Sequence, residues 1–170
     1  MIIKTFPLGL IGTNAYLLID EETKEAIVID LGGDFGGIQK ELEKYGAVLK
    51  YILNTHGHFD HILGEREAQK ITNVPVFVHE QDKYLVENLP KQLARFGFAE
   101  NYESPINIHT FTESDTFKLG SHEIKVIHTP GHTPGSCCFL IGSSLFSGDT
   151  LFYTSVGRTD FEGGSFAQIS

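Results

Sequence analysis

Apolar and polar residues alternate along the first thirty positions in three short blocks. Residues 2–6, 15–19 and 26–30 alternate or run apolar with β-branched content, and each reads as a strand. The period then lengthens. Ile38, Leu42 and Tyr45 fall on one face of a helix predicted over 37–45, and Gly46 is its natural stop. A fourth strand is predicted over 49–54. A second helix should begin just past His61 and run to about Ile71, followed by a strand at 75–79. Leu85 and Leu89, with Tyr84 beside them, mark a helix over 81–89 that Pro90 should end.

Residues 91–105 show no clean period. Arg95, Phe96, Phe98 and Tyr102 either line a cleft or pack as a surface flap, and packing is the expectation. From there the pattern is strand and turn only, with strands at 106–111, 116–119, 123–127, 137–141 and 144–146. Leu119-Gly120-Ser121 and Ile141-Gly142-Ser143 read as hairpin turns. Strand-helix-strand units followed by hairpins suit an α+β domain of layered sheets with outer helices. No internal repeat or low-complexity tract interrupts it.

A chain of 170 residues suits a single domain with a sizeable core. The net charge is −9, from 13 Lys and Arg against 22 Asp and Glu, and the cations form no stripe. A nucleic-acid partner is therefore not expected. No apolar run approaches the ~18 residues of a membrane span, and residues 1–7 read as a strand, not a leader. The two cysteines, Cys137 and Cys138, are adjacent. Neighbours in a strand point to opposite faces, so they read as buried small residues in a reducing cytoplasm.

Candidate chemistry gathers in one stretch. Thr55-His56-Gly57-His58-Phe59-Asp60-His61 holds three imidazoles and a carboxylate just after a strand. Such a density of nitrogen and oxygen donors suits a divalent metal, zinc above all. Two later turns each place one further donor beside an apolar run. They are Thr129-Pro130-Gly131-His132-Thr133-Pro134-Gly135-Ser136 and Phe146-Ser147-Gly148-Asp149-Thr150-Leu151-Phe152.

With these three motifs the whole chain resembles the metallo-β-lactamase-fold superfamily, and within it the glyoxalase II-like hydrolases. The resemblance implies a four-layer αββα sandwich with metals at one edge. It implies that His56, His58 and His132 hold one metal, that Asp60 and His61 hold a second, and that Asp149 bridges the two. Three neutral imidazoles leave the metal's charge available to acidify a bound water. Asp60 is then a candidate proton acceptor. The implied reaction is cleavage of a small thioester or related ester by metal-bound hydroxide, with two Zn²⁺ ions as cofactors. A rival reading within the superfamily is a persulfide dioxygenase-like oxygenase with one Fe²⁺ on His56, His132 and Asp149. A third is an inactive metal-binding fragment.

Family members usually continue past the Gly157-Arg158-Thr159-Asp160 segment to a last histidine. The resemblance therefore implies that the last strand and helix are missing and that the second metal site is incomplete. Residues 163–170 read as the opening of a helix with Ser165 as cap. Arg158 is a candidate clamp for a substrate carboxylate, against an ion pair with Asp160 or Glu162. Asp30 either orients a ligand histidine or caps its turn. His128 either supports the site or is structural. His79 reads as structural, and His109 and His122 as solvent-facing. Oligomeric state is left open.

Overall fold

The computed structural model describes all residues, Met1–Ser170. The alternating blocks become β1 (Ile2–Leu8), β2 (Thr13–Ile19) and β3 (Glu25–Ile29), an antiparallel meander. Helix α1 (Gly36–Tyr45) ends at Gly46, whose φ of 59° and ψ of 33° supply the left-handed cap expected there. β4 (Val48–Leu53), β5 (Val76–His79) and β6 (Ile108–Phe111) then add in parallel to β3. The result is one mixed sheet in the order β1-β2-β3-β4-β5-β6. A second, antiparallel sheet has the order β10-β9-β8-β7, from β7 (Thr116–Leu119), β8 (His122–His128), β9 (Cys137–Ile141) and β10 (Ser144–Phe146).

Alternation decides how the layers stack. Leu17, Ile19, Val28, Ile52 and Val76 turn to one face of the first sheet and pack under α1 and α2 (Glu65–Thr72). Leu18, Ile27, Ile29 and Leu53 turn to the other face and meet Leu119, Ile124, Val126, Phe139 and Ile141 of the second sheet. Helix, sheet and sheet are thus the layers built here, as expected of the αββα type. The outer face of the second sheet carries Ile127 and Leu145, 40% and 49% exposed, with no helix packed over them. No helix is long and apolar enough to cross a membrane.

Three details differ from the sequence expectation. The second helix does not start just past His61. A 3₁₀ turn at Phe59–His61 comes first, and α2 begins only at Glu65. The helix expected over 81–89 is two, α3 (Lys83–Glu87) and α4 (Leu89–Arg95), because Pro90 sits in the first turn of α4. A proline is well tolerated there, since that N–H has no intrahelical partner. A small hairpin, β11 (Leu151–Phe152) with β12 (Ser155–Val156), also escaped the pattern. Its two-residue strands are too short to show a period, and their side chains are exposed. At the end of the chain α5 (Phe166–Ile169) follows Ser165, whose hydroxyl makes no capping bond.

Candidate metal centre

The parallel strands all deliver their C-terminal ends to one edge of the sandwich, the usual place for a site in such sheets. Asp30 follows β3, the His-rich loop follows β4, and Asp82 follows β5. The turn between β8 and β9 brings His132, and the segment after β10 brings Asp149.

These segments converge. His56, His58 and His132 present ring nitrogens within 4.8 Å of one another, and so do His56 and His61 with an Asp149 oxygen. His58 Nδ1 and His132 Nε2 are 2.9 Å apart. Asp149 faces both groups, with Oδ1 3.3 Å from His61 Nε2 and Oδ2 3.4 Å from His132 Nε2. Asp60 Oδ2 lies 3.3 Å from His61 Nε2 and accepts a 2.7 Å bond from the Thr13 hydroxyl. All four histidines are at least 93% buried, with His58 the most exposed at 7%.

The surrounding hydrogen bonds fix which ring nitrogens face inward. The Thr55 hydroxyl donates to Asp30 Oδ2 at 2.7 Å, so it can only accept from His56 Nδ1, 3.1 Å away. His56 Nε2 is left as a bare lone pair, and it is a buried atom with no partner. His132 Nδ1 donates to the Arg158 carbonyl at 2.6 Å, which likewise frees Nε2 toward the cluster. His61 Nδ1 lies 3.0 Å from Asp30 Oδ2, near in distance but off the hydrogen-bonding direction. Asp30 therefore orients His61 and, through Thr55, His56. Its other oxygen accepts from the Thr55 amide at 2.8 Å, so both carboxylate oxygens serve the segment after β4 and neither caps Asp30's own turn.

Electrostatics divide the cluster. Burial and the neighbouring imidazoles hold His56 neutral, well below its ordinary range. The same causes bring His58 down to about 4. Burial acts against a charged His61 too, but Asp30, Asp149 and Asp60 overcome it and raise its pKa well above the ordinary value. Burial would raise Asp60, yet the bonds from His61 and Thr13 bring it down to about 2. Asp149 is lowered in the same way by His61 and His132, against its burial. His56 and His58 are thus neutral and Asp60 and Asp149 ionised, the donor states a divalent cation needs, while His61, held protonated by its carboxylate neighbours in the metal-free chain, would give up its proton to a cation. Orphaned, inward-facing nitrogens with no hydrogen-bond partner are what such an ion would satisfy.

Several supporting residues were invisible in the sequence. Asp82, fully buried, accepts from Gly57 N at 2.9 Å, Thr133 Oγ1 at 2.6 Å and Gly135 N at 2.7 Å. One carboxylate thus ties the His56–His61 loop to the His132 turn. Gln92 clamps the same loop, accepting from Phe59 N and donating to Gly57 O. Gly157 lets the chain pass close by, since a Cβ there would stand 1.7 Å from the Asp149 carbonyl oxygen and 3.2 Å from His132 Nδ1. Among the uncertain histidines, His79 and His128 stack between the sheets at 4.3 Å, and His128 Nε2 donates to the Pro134 carbonyl at 2.9 Å. His128 therefore braces the turn that carries His132. His109 is exposed, and His122 lies 3.5 Å from Asp20 at its rim.

Arg158 contributes its carbonyl to His132. The guanidinium makes a two-bond fork to Asp160 at 2.7 and 2.6 Å and lies over the Phe161 ring, so the competing ion pair is the one formed. Glu162 pairs with Arg95 instead.

Two cavities reach the cluster. One of about 670 Å³ opens at His58 between α3–α4 and residues 160–162, with Leu85, Lys91, Phe96 and Phe161 on its walls. Phe96 thus lines a cleft, while Phe98 and Tyr102 pack against the core as expected. The other, of about 480 Å³, opens at Asp60, His61 and Asp149 beneath Ile11 and Tyr153.

Residues 8–170 match the family model described as the metallo-beta-lactamase superfamily. The chain is 35% identical to the hydroxyacylglutathione hydrolase GloC of Haemophilus influenzae, over 99% of this chain and 81% of the relative. Among solved structures it is similar to the B3 metallo-beta-lactamase BLEG-1, with a TM-score of 0.84 at 34% identity, covering 99% of this chain and 81% of that one. It is also similar to TTHA1623, solved in a di-iron-bound form, with a TM-score of 0.83 at 30% identity over 99% and 82% of the two chains.

Proposed function

The chain belongs to the metallo-β-lactamase superfamily of metal-dependent hydrolases, and on that premise we propose that it cleaves a small thioester or a related ester. The single observation that carries this reading is the convergence of His56, His58, His61, His132, Asp60 and Asp149 at one sheet edge beside two cavities. The name of the Haemophilus influenzae relative supports a thioester as the bond cleaved.

His56, His58 and His132 would hold one cation and Asp60 and His61 a second, and Asp149, which faces both groups, would serve as a donor to either. The group supplies, when bound, an acidified water and a Lewis acid for the carbonyl. The protein's own residues do the rest. Asp30 and Thr55 fix the tautomer of His56, and the Arg158 carbonyl fixes that of His132. Asp60, ionised and held by Thr13, is placed to receive a proton. Leu85, Phe96 and Phe161 shield the His58 side from bulk water, and Lys91 faces the same cavity as the wall cation with no carboxylate partner. An anionic end on the substrate suits that wall.

The name of the Haemophilus influenzae relative favours the hydrolase over the mononuclear iron rival, whose His56, His132 and Asp149 triad the same six donors also contain. Zinc is the metal of this proposal, in a reducing cytoplasm where Cys137 and Cys138 stay free thiols. The test is metal analysis of the purified chain beside a panel of thioesters and esters. Zinc-restored thioester cleavage is expected. One iron per chain with oxygen uptake, or no hydrolysis of any ester by the metal-loaded chain, would overturn the reading.

A further inference from the structure

Glu65 is a charged residue type with no accessible surface, at the first turn of α2. No Lys, Arg or His lies within ion-pair distance of it, whereas the metal-site carboxylates Asp60 and Asp149 both have imidazole partners. Its one hydrogen bond comes from Asn54 Nδ2 to Oε1, at 2.6 Å, short for an N–H···O contact. Asn54 is also fully buried. Two oxygens are then left over, Glu65 Oε2 and Asn54 Oδ1, and both are buried atoms with no partner. Both orphans belong to the same pair of side chains. Two orphan acceptors cannot satisfy each other, and each is costly when left bare.

One proton resolves both. We propose that Glu65 is an un-ionised carboxylic acid in the folded protein, that its Oε2–H donates to Asn54 Oδ1, and that the resulting two-bond ring positions the loop of donor histidines. The proton comes from solvent as the chain folds, and no other bond is made or broken. Asn54 is the residue that hands β4 to that loop. Its amide bonds Phe77 O at 2.9 Å, and the next residue, Thr55, is the link between Asp30 and His56. Burial and the nearby Asp30 carboxylate both favour the un-ionised acid over the bond from Asn54, which opposes it. An ionised Glu65 would set an unpaired negative charge beside Asp30, which already faces His61 and Thr55. As a neutral acid it leaves Asp30 free to polarise His61 and Thr55 alone. Glu65 touches no candidate donor, so it is a positioning residue.

The decisive variant is Glu65→Gln, because glutamine keeps the shape and offers both halves of the ring without needing a proton. The measurement is the infrared difference spectrum between the native chain and Glu65→Gln at pH 7, metal-free. The carbonyl stretch of an un-ionised carboxyl group is expected in the native chain and absent from the variant. In parallel, zinc affinity by calorimetry should stay within about 3-fold in Glu65→Gln and fall about 10–100-fold in Glu65→Ala, the range for losses just outside a metal's ligands. A spectrum with no such band, or a band that survives in Glu65→Gln, would overturn the proposal. So would a Glu65→Gln chain that fails to fold or loses zinc as badly as Glu65→Ala. The infrared readout needs neither metal nor turnover, so it stands or falls independently of the hydrolase reading.

Discussion

At the scale of single residues, what matters is which proton sits where. His132 is the one donor from its turn, and its other nitrogen is fixed by the Arg158 carbonyl. No neighbour can replace it. His132→Ala should retain the far-ultraviolet circular dichroism of the native chain and lose metal-dependent thioester hydrolysis on the order of 10³-fold or more, as expected for a group acting in a unit. Near-normal turnover in a folded variant would remove His132 from the site. His58 yields a second test. Its folded pKa is depressed to about 4 by burial and by His132, against an ordinary 6.5. Between those values the unfolded chain binds the proton and the folded chain does not. Its contribution is therefore fully present above pH 6.5 and is lost as pH falls toward 4, by up to roughly 3 kcal/mol. Urea titrations of the metal-free protein should show that loss, and His58→Gln should reduce it, leaving the share of His56, whose pKa is lowered by the same causes. An unchanged slope in the variant would mean that His58 is not the group responsible.

At the scale of elements, the segment after β5 holds the site together. Asp82 accepts three bonds from two separate loops. Asp82→Ala would orphan three buried donors and should cost roughly 3 kcal/mol. It should also weaken zinc binding about 10–100-fold. Chemical denaturation and calorimetry on one preparation would check both, and a change in stability without a change in affinity would show the two loops to be independent. Asp82 illustrates what the sequence conceals. Its partners lie 25 to 53 residues away, and in the chain it is one polar residue near a helix start. Glu65 is hidden in a similar way, because an acid in a first helical turn ordinarily marks an exposed N-terminus. The strands were legible because alternation directly encodes two-sided burial, and Thr116–Leu119 and Cys137–Ile141 fall on their expected bounds. The donor motifs were legible because His, Asp and Gly cluster locally. The division at Pro90 was not, since a proline can end one helix or open the next, and the β11–β12 hairpin was not, since exposed two-residue strands show no period.

At the scale of the whole molecule, the donors come from strand ends scattered between residues 56 and 149, so the site exists only once both sheets have docked. Metal binding is then linked to folding. Zinc at a hundred times its dissociation constant should add about 2.7 kcal/mol to stability, visible as a higher unfolding midpoint that a chelator reverses. A midpoint indifferent to both zinc and chelator would show that the folded chain does not bind the metal selectively.

The two cavities that meet at the cluster bear on traffic. The proposed cleavage of a thioester would leave two molecules to dispose of, an acid and a thiol, and a blind pocket would force one to wait for the other. On the proposed reading, the cavity at His58 and the separate one at Asp60, His61 and Asp149 offer each product its own exit, and no such queue arises. Departure should be random in order, and the two products should be able to sit in the protein together. Initial rates with both products at half-inhibiting doses would then fall further than mutually exclusive binding allows, whereas strictly exclusive inhibition would mean a single shared exit.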